Sequence, residues 1–259
     1  MNFFTIAKQT FELARQSRII TIGIIVGSAI VLLAAGGATI GIREPVIDAV
    51  SIGLWVTIAC SNIFAALIPV QLICAERHNR AIYLTLAMPV SRVSYLVGRW
   101  LGSYLAVLLI SISLTLTTAA LVGVMTIIGG GESFPNFLPI FYFQTIELGA
   151  ITALGVLFAA YTTPVLATLY TIAMAISFHF GEDVERLGRA GKVPGEVREL
   201  ANSIVPFYPD MSVFDVRTVV SLGMKINPDL YYVAPAYGGV LIVMFMTIAA
   251  LIFQSQDVK

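Results

Sequence analysis

Side chains able to do chemistry are sparse in this 259-residue chain, so their positions restrict what it can do. Glu147 falls about nine residues into an apolar stretch, with Gln144 one helical turn before it on a similar face. An ionisable group at such depth in a membrane turns toward the bundle interior and marks either a pathway or a pairing site. For Glu147 both readings stand: a place on a translocation route, or a bond to hydroxyls such as Ser111, Ser113, Thr115 or Thr117 of a neighbouring helix. The two histidines, His78 and His179, fall at opposite ends of the expected topology and cannot alone build a zinc cluster. Cys60 and Cys74 lie fourteen positions apart in one apolar stretch, about 21 Å along a helix, too far to bond each other and without metal spacing. Neither G-x-S-x-G nor H-E-x-x-H occurs, so an enzyme is not expected. The nearest approach to a phosphate-cradling loop, Gly188 to Val193, lacks the first glycine and the hydroxyl after Lys192. The chain is therefore expected to bind no metal or cofactor directly and not to hydrolyse ATP by itself.

The elements that must position these groups follow from composition. Hydrophobic residues make up 58% and charged residues 12% of the chain, and mean hydropathy is +0.90, more apolar than a soluble domain can cover with polar surface. Fifteen Lys and Arg balance fifteen Asp and Glu, which leaves no basic excess for nucleic acid. Six stretches are apolar over roughly the 20 residues that a helix needs to cross a bilayer: 19–42, 50–75, 101–128, 138–161, 164–180 and 233–253. Strand alternation is absent, and in lipid a helix is the element that satisfies its own backbone, so the expected fold is an all-α membrane protein with six transmembrane helices in one domain. Pro164 and the combined length divide the fourth stretch from the fifth. Gly98, Gly102, Gly149 and Gly155, among others, suit close approach of helix backbones. The first apolar run is too long for a signal-peptide core and follows Lys8, Glu12, Arg15 and Arg18, so it is expected to be a retained span.

Orientation follows from Lys and Arg in the short connections. The N-terminal tail and residues 76–100 are rich in them, whereas 129–137 has none, so both termini are expected in the cytoplasm and the polar segment 181–232 outside. Residues 1–18 place Phe3, Phe4, Ala7, Phe11 and Ala14 on one face, the pattern of an interfacial helix. In the outer segment, Pro194 opens an expected helix with Val197, Leu200, Ala201 and Ile204 on one side. A second is expected from Ser212, with Val213, Val216, Val219 and Val220 apolar and Gly223 at its end.

Residues 76–99 read ERHNRAIYLTLAMPVSRVSYLVGR: a charged turn carrying Glu76, Arg77 and Arg80, an apolar run with Leu84 and Leu86, a break at Pro89, and Ser91 placed to cap a helix starting near Arg92. Through Glu76, Leu84, Leu86, Pro89, Val90, Ser91, Arg92, Tyr95, Leu96, Gly98 and Arg99, this connection resembles the first cytoplasmic loop of the membrane subunits of ATP-binding-cassette (ABC) transporters of the type 2 exporter class. The usual Gly-Thr of that loop is replaced here by residues around Arg80, Ala81 and Ile82. The resemblance implies a permease of a bacterial or archaeal cytoplasmic membrane, with the 76–100 loop as a coupling helix seated on a separate cytoplasmic ABC ATPase that hydrolyses the ATP. It further implies pairing with a second copy or a similar permease, contact with membrane lipid, and outer helices near the exit of the pathway. The alternative is a non-transporting scaffold that passes ATPase-driven motion to extracytoplasmic partners.

Overall fold

The computed structural model describes residues 3–38, 45–78, 91–129, 136–180, 208–221 and 224–255. Its helices are α1 (Phe3–Gln16), α2 (Ile19–Ala38), α3 (Pro45–His78), α4 (Arg92–Gly129), α5 (Leu138–Ala159), α6 (Pro164–His179), α7 (Arg217–Ser221) and α8 (Leu230–Ser255), with a single 3-10 turn at Ser212–Phe214. No strand occurs among the described residues. Among the described residues, five helices are long and apolar enough to cross a membrane, within α2, α3, α4, α5 and α8. The stretch expected as a fifth span forms α6, which has 16 residues and so extends about 24 Å, short of the roughly 30 Å of a hydrocarbon core. Of the six expected spans, five correspond to helices long enough to cross a membrane, and the remaining one is a shorter apolar helix.

Helix boundaries depart from the apolar runs where charged residues continue the helix. The third expected span begins not at residue 101 but already at Arg92, where the Ser91 Oγ accepts the backbone N–H of Ser94 at 3.1 Å as an N-cap. Likewise α3 runs on through Glu76 to His78, so much of the expected 76–100 connection is helix. The break between α5 and α6 is where Pro164 requires it: Thr163 is extended (φ −77, ψ 157), and Pro164 stands in the first turn of the next helix, where a missing N–H costs nothing. The single helix expected from Ser212 is instead divided. Asp215 leaves helical geometry (φ −84, ψ 90), and its Oδ1 accepts the Arg217 backbone N–H at 3.1 Å, a local bond that competes with helix continuation. The helix expected to open at Pro194, and Gly223, lie outside the described residues.

The core is centred on α5, of whose span 78% is buried, against 28% for α2. Helix α5 packs on α3 and α8, α3 on α4, and α2 lies across α3 and α4. Large apolar side chains such as Ile25, Leu33, Leu116, Ile127, Val243 and Leu251 face outward, a surface that only lipid or another apolar surface solvates well.

Helix α1 packs on α4 through one face. Its buried face is Ile6, Ala7, Thr10 and Ala14, whereas Phe4 is 65% exposed. The reason is a close crossing on α4 at Gly98 and Gly102, four residues apart on one face: a Cβ on Gly102 would come within 2.5 Å of both the Ala7 carbonyl oxygen and the Thr10 Cβ. A left-handed Arg18 (φ 59) then turns the chain from α1 into α2. Gly102→Ala is expected to destabilise the protein by about 1–3 kcal/mol through overpacking. Gly239→Ala, where an added Cβ meets nothing within 4 Å, serves as the control and should leave the thermal midpoint nearly unchanged.

Candidate functional site

Two polar centres lie about 21 Å apart along α3. At one end, the termini of α3 and α4 that flank residues 79–90 are tied together. Arg99 Nη2 donates to the Glu76 carboxylate in a buried ion pair, and Arg99 Nη1 donates to Thr10 Oγ1 of α1 at 3.1 Å. The Tyr95 hydroxyl donates to Glu76 Oε2 at 2.7 Å, and the Tyr95 ring lies 5.3 Å from the guanidinium carbon of Arg99. Arg92 donates to the Phe253 and Gln254 carbonyls at 3.1 Å each, capping the C-terminus of α8, where a cation complements the helix dipole. Of the residues expected to form a coupling loop, Glu76 and Arg92 therefore do structural work inside the bundle, and exposed Ser91 starts α4. Arg77 lies in the last turn of α3. Arg80, Leu84, Leu86 and Pro89 fall outside the described residues.

Near the middle of α3, α5 presents Gln144 and Glu147, both nearly fully buried. Glu147 does not bond to α4 hydroxyls. Its Oε1 accepts Asn62 Nδ2 of α3 at 2.6 Å and lies 3.1 Å from His179 Nε2 of α6. Three of the four expected hydroxyl partners serve their own helix instead, Ser113, Thr115 and Thr117 donating to carbonyls four residues earlier, each at 2.9 Å, while Ser111 Oγ is buried without a hydrogen-bond partner among the described residues. His179 Nδ1 is 2.8 Å from the Ala175 carbonyl oxygen, which can only accept, so Nδ1 carries a hydrogen. One further proton then lies between Nε2 and the carboxyl, making the contact either imidazolium with carboxylate or imidazole with carboxylic acid.

Above this triad sits the segment 208–221. Arg217 pairs with Asp215 through two hydrogen bonds from the guanidinium, Nε to Oδ1 at 2.6 Å and Nη2 to Oδ2, and its guanidinium carbon lies 3.7 Å from the ring centre of Trp55, a cation–π contact onto α3. Burial works against ionisation of Asp215, but the hydrogen bonds and charge of Arg217 outweigh it and hold this carboxyl below its usual range. Beside these groups opens a cavity of about 490 Å³, lined on one side by Trp55, Ile63, Ile172 and Ile176 and ending in Asn62, His179, Asp215 and Arg217. A smaller space of about 10 Å³, room for one water, adjoins it and is bounded by Gln144, Glu147, His179, Asp215 and Arg217. Gln144 Nε2 and Oε1 and Asn62 Oδ1 are buried without a hydrogen-bond partner among the described residues.

The structure thus brings Gln144 and Glu147 into one cluster and adds Asn62, His179, Trp55, Asp215 and Arg217, which sequence reasoning did not assign to it. A polar Asn62 inside an otherwise apolar run was the available signal; the partnership with His179 was not visible, because spacing along one helix says nothing about its neighbours. No group of metal-ligating side chains occurs among the described residues. No family model matches the chain, and no curated protein does so either.

The Asp215 bridge is pH-sensitive with a defined sign. A carboxyl held below its ordinary value of 3.8 stabilises its contact fully above that value and loses it as pH falls through the lower folded value. Acidification below about 3.8 is expected to release Arg217 from Trp55 and change the tryptophan emission. Asp215→Asn should show the released emission at neutral pH and no acid transition.

Proposed function

We propose that the chain is the membrane-embedded subunit of a transporter of the ABC type 2 exporter class, worked through residues 76–100 by a separate cytoplasmic ATPase. The observation that carries this reading is the clamp of Glu76, Arg99, Tyr95 and Thr10. A connection can pass force into a bundle only if its ends are held, and here both ends of 79–90 are held to each other and to α1. A push on that connection moves the ends of α3 and α4 as one body, and Arg92 carries the displacement to the end of α8. Differential affinity of the connection for the nucleotide-bound and nucleotide-free ATPase would then bias the bundle between two arrangements.

In this reading the protein spans the bilayer six times with both termini in the cytoplasm. Helix α6 reaches across with local thinning of the bilayer, at a modest cost. A second copy or a similar permease completes the pathway, and the outward apolar faces of the long helices meet lipid and that partner. The cavity that ends in Asn62, His179, Asp215 and Arg217 favours transport over a purely mechanical scaffold, because a scaffold has no use for a polar-ended cavity. The chain's residues do no covalent chemistry; ATP is hydrolysed on the partner.

Arg80→Glu is expected to weaken association with the ATPase at least tenfold, measured by co-purification from reconstituted membranes, with thermal unfolding of the chain unchanged; undiminished association would refute the coupling role. Arg92 is unsuited to this test, since it caps α8. Arg99→Ala leaves Glu76 with an unpaired buried charge and is expected to cost about 3–5 kcal/mol of stability, read from thermal unfolding in detergent.

A further inference from the structure

The cavity beside α3 and α6 has apolar walls and a polar end, adjoined by the small space that Gln144 and Glu147 bound. Glu147 Oε1 is shared between Asn62 and His179; Asn62 Oδ1 and Gln144 Oε1 are buried without a donor, and Gln144 Nε2 without an acceptor, among the described residues. Each cation at this end is already matched: Arg217 by Asp215 with the face of Trp55, and His179 by Glu147. With one proton between Glu147 and His179, the four groups Glu147, His179, Asp215 and Arg217 sum to zero charge. Without that proton they sum to minus one. An anionic headgroup would therefore enter as an uncompensated charge in a low-dielectric pocket, which is costly. A cation that replaces the proton keeps the sum at zero.

We propose that this cavity binds an amphiphilic amine, its ammonium group entering the adjoining small space against Glu147 in exchange for the proton held between Glu147 and His179, and its apolar body lying in the cavity along Trp55, Ile63 and Ile176. A primary ammonium has three N–H donors, and the groups bounding that space include three acceptors for them: the Glu147 carboxylate, Gln144 Oε1 and the lone pair of deprotonated His179 Nε2. No covalent bond forms or breaks in the amine. The displaced proton leaves to water, His179 becomes neutral and keeps its Nδ1–H on the Ala175 carbonyl, and Glu147 stays ionised against the new cation. The charged and polar groups facing the exchange come from each element around it: Asn62 on α3, Gln144 and Glu147 on α5, His179 on α6, and Asp215 with Arg217 from the segment above. A volume of about 490 Å³ lies within the range of small-molecule sites. The inference does not depend on the ATPase reading, because it concerns the chain alone.

The test is calorimetric titration of the full chain in lipid nanodiscs, with empty nanodiscs subtracted, using dodecylamine, dodecanol and dodecanoate, which share a tail and differ in headgroup. Dodecylamine is expected to bind at least tenfold more tightly than the other two. It should release about one proton per molecule bound, obtained from heats in two buffers of different ionisation enthalpy, so its affinity rises about tenfold per pH unit while the site is protonated. Glu147→Gln is expected to abolish the preference for the amine over the alcohol. Should that variant fail to insert, Ile176→Trp fills the cavity without altering a polar group and should reduce amine binding at least tenfold. Equal or tighter binding of dodecanol or dodecanoate, amine binding without proton release, or undiminished binding to Ile176→Trp would each overturn the proposal.

Discussion

Ionised side chains in an apolar bundle must be paired, because an unmatched charge there costs more than any single packing contact returns. In this protein that requirement is met by ties that cross between helices. Arg99 on α4 reaches Glu76 on α3 and Thr10 on α1. Glu147 on α5 reaches Asn62 on α3 and His179 on α6. Arg217 pairs with Asp215 and lies over Trp55 on α3. Helix α3 takes part in all three ties, so the polar groups that would be a liability in hydrocarbon define where its neighbours sit. Apolar packing alone has little preference for one rotation of a helix over another in lipid, and these directional bonds supply it.

Small residues set how closely the helices approach. Gly102 lets α1 bring its backbone and Thr10 against α4, and that approach places the Thr10 hydroxyl within reach of Arg99. The same hydroxyl also donates to the Ile6 carbonyl at 2.7 Å, so it bridges its own helix and the buried guanidinium. Replacing Gly102 would therefore disturb the charge clamp as well as the packing. On α5, Gly155 does the same for α3, where a Cβ would come within 2.8 Å of the Pro69 ring.

The long apolar runs were legible because length and composition alone dictate a helix in lipid, and the break at Pro164 was legible because proline restricts the residue before it. The ends of α3 and α4 were not. Glu76, Arg92 and Arg99 read as surface charge in one dimension, yet each finds a partner from a distant part of the chain, and only the folded arrangement shows it. Glu147 was legible as a group that needs a partner, but not which one; the α4 hydroxyls were plausible until bonds to their own backbone took up three of the four. His179 looked isolated when weighed only against His78 for zinc. Which face of α1 turns toward the bundle was not legible for a similar reason, since a glycine pair on another helix, and not the pattern of α1 itself, decides it.

The two polar centres are joined by one helix, α3. Asn62 and Glu76 lie fourteen residues apart on α3, about 21 Å along its axis, and Pro69 stands midway between them. Proline at that position has no N–H to give the Ala65 carbonyl, so α3 lacks one of its own bonds at its midpoint and is softest to bending there. Gly155 packs against that point, and Gly155 belongs to α5, the helix that carries Gln144 and Glu147. A displacement applied at Glu76 thus has two routes to Asn62 and Glu147, along α3 past its weak point or across the Pro69 contact into α5. Because Asn62 and Glu147 are themselves hydrogen-bonded, the two routes converge on a single bond, and the geometry at which His179 meets the carboxyl depends on how α3 is held at its far end.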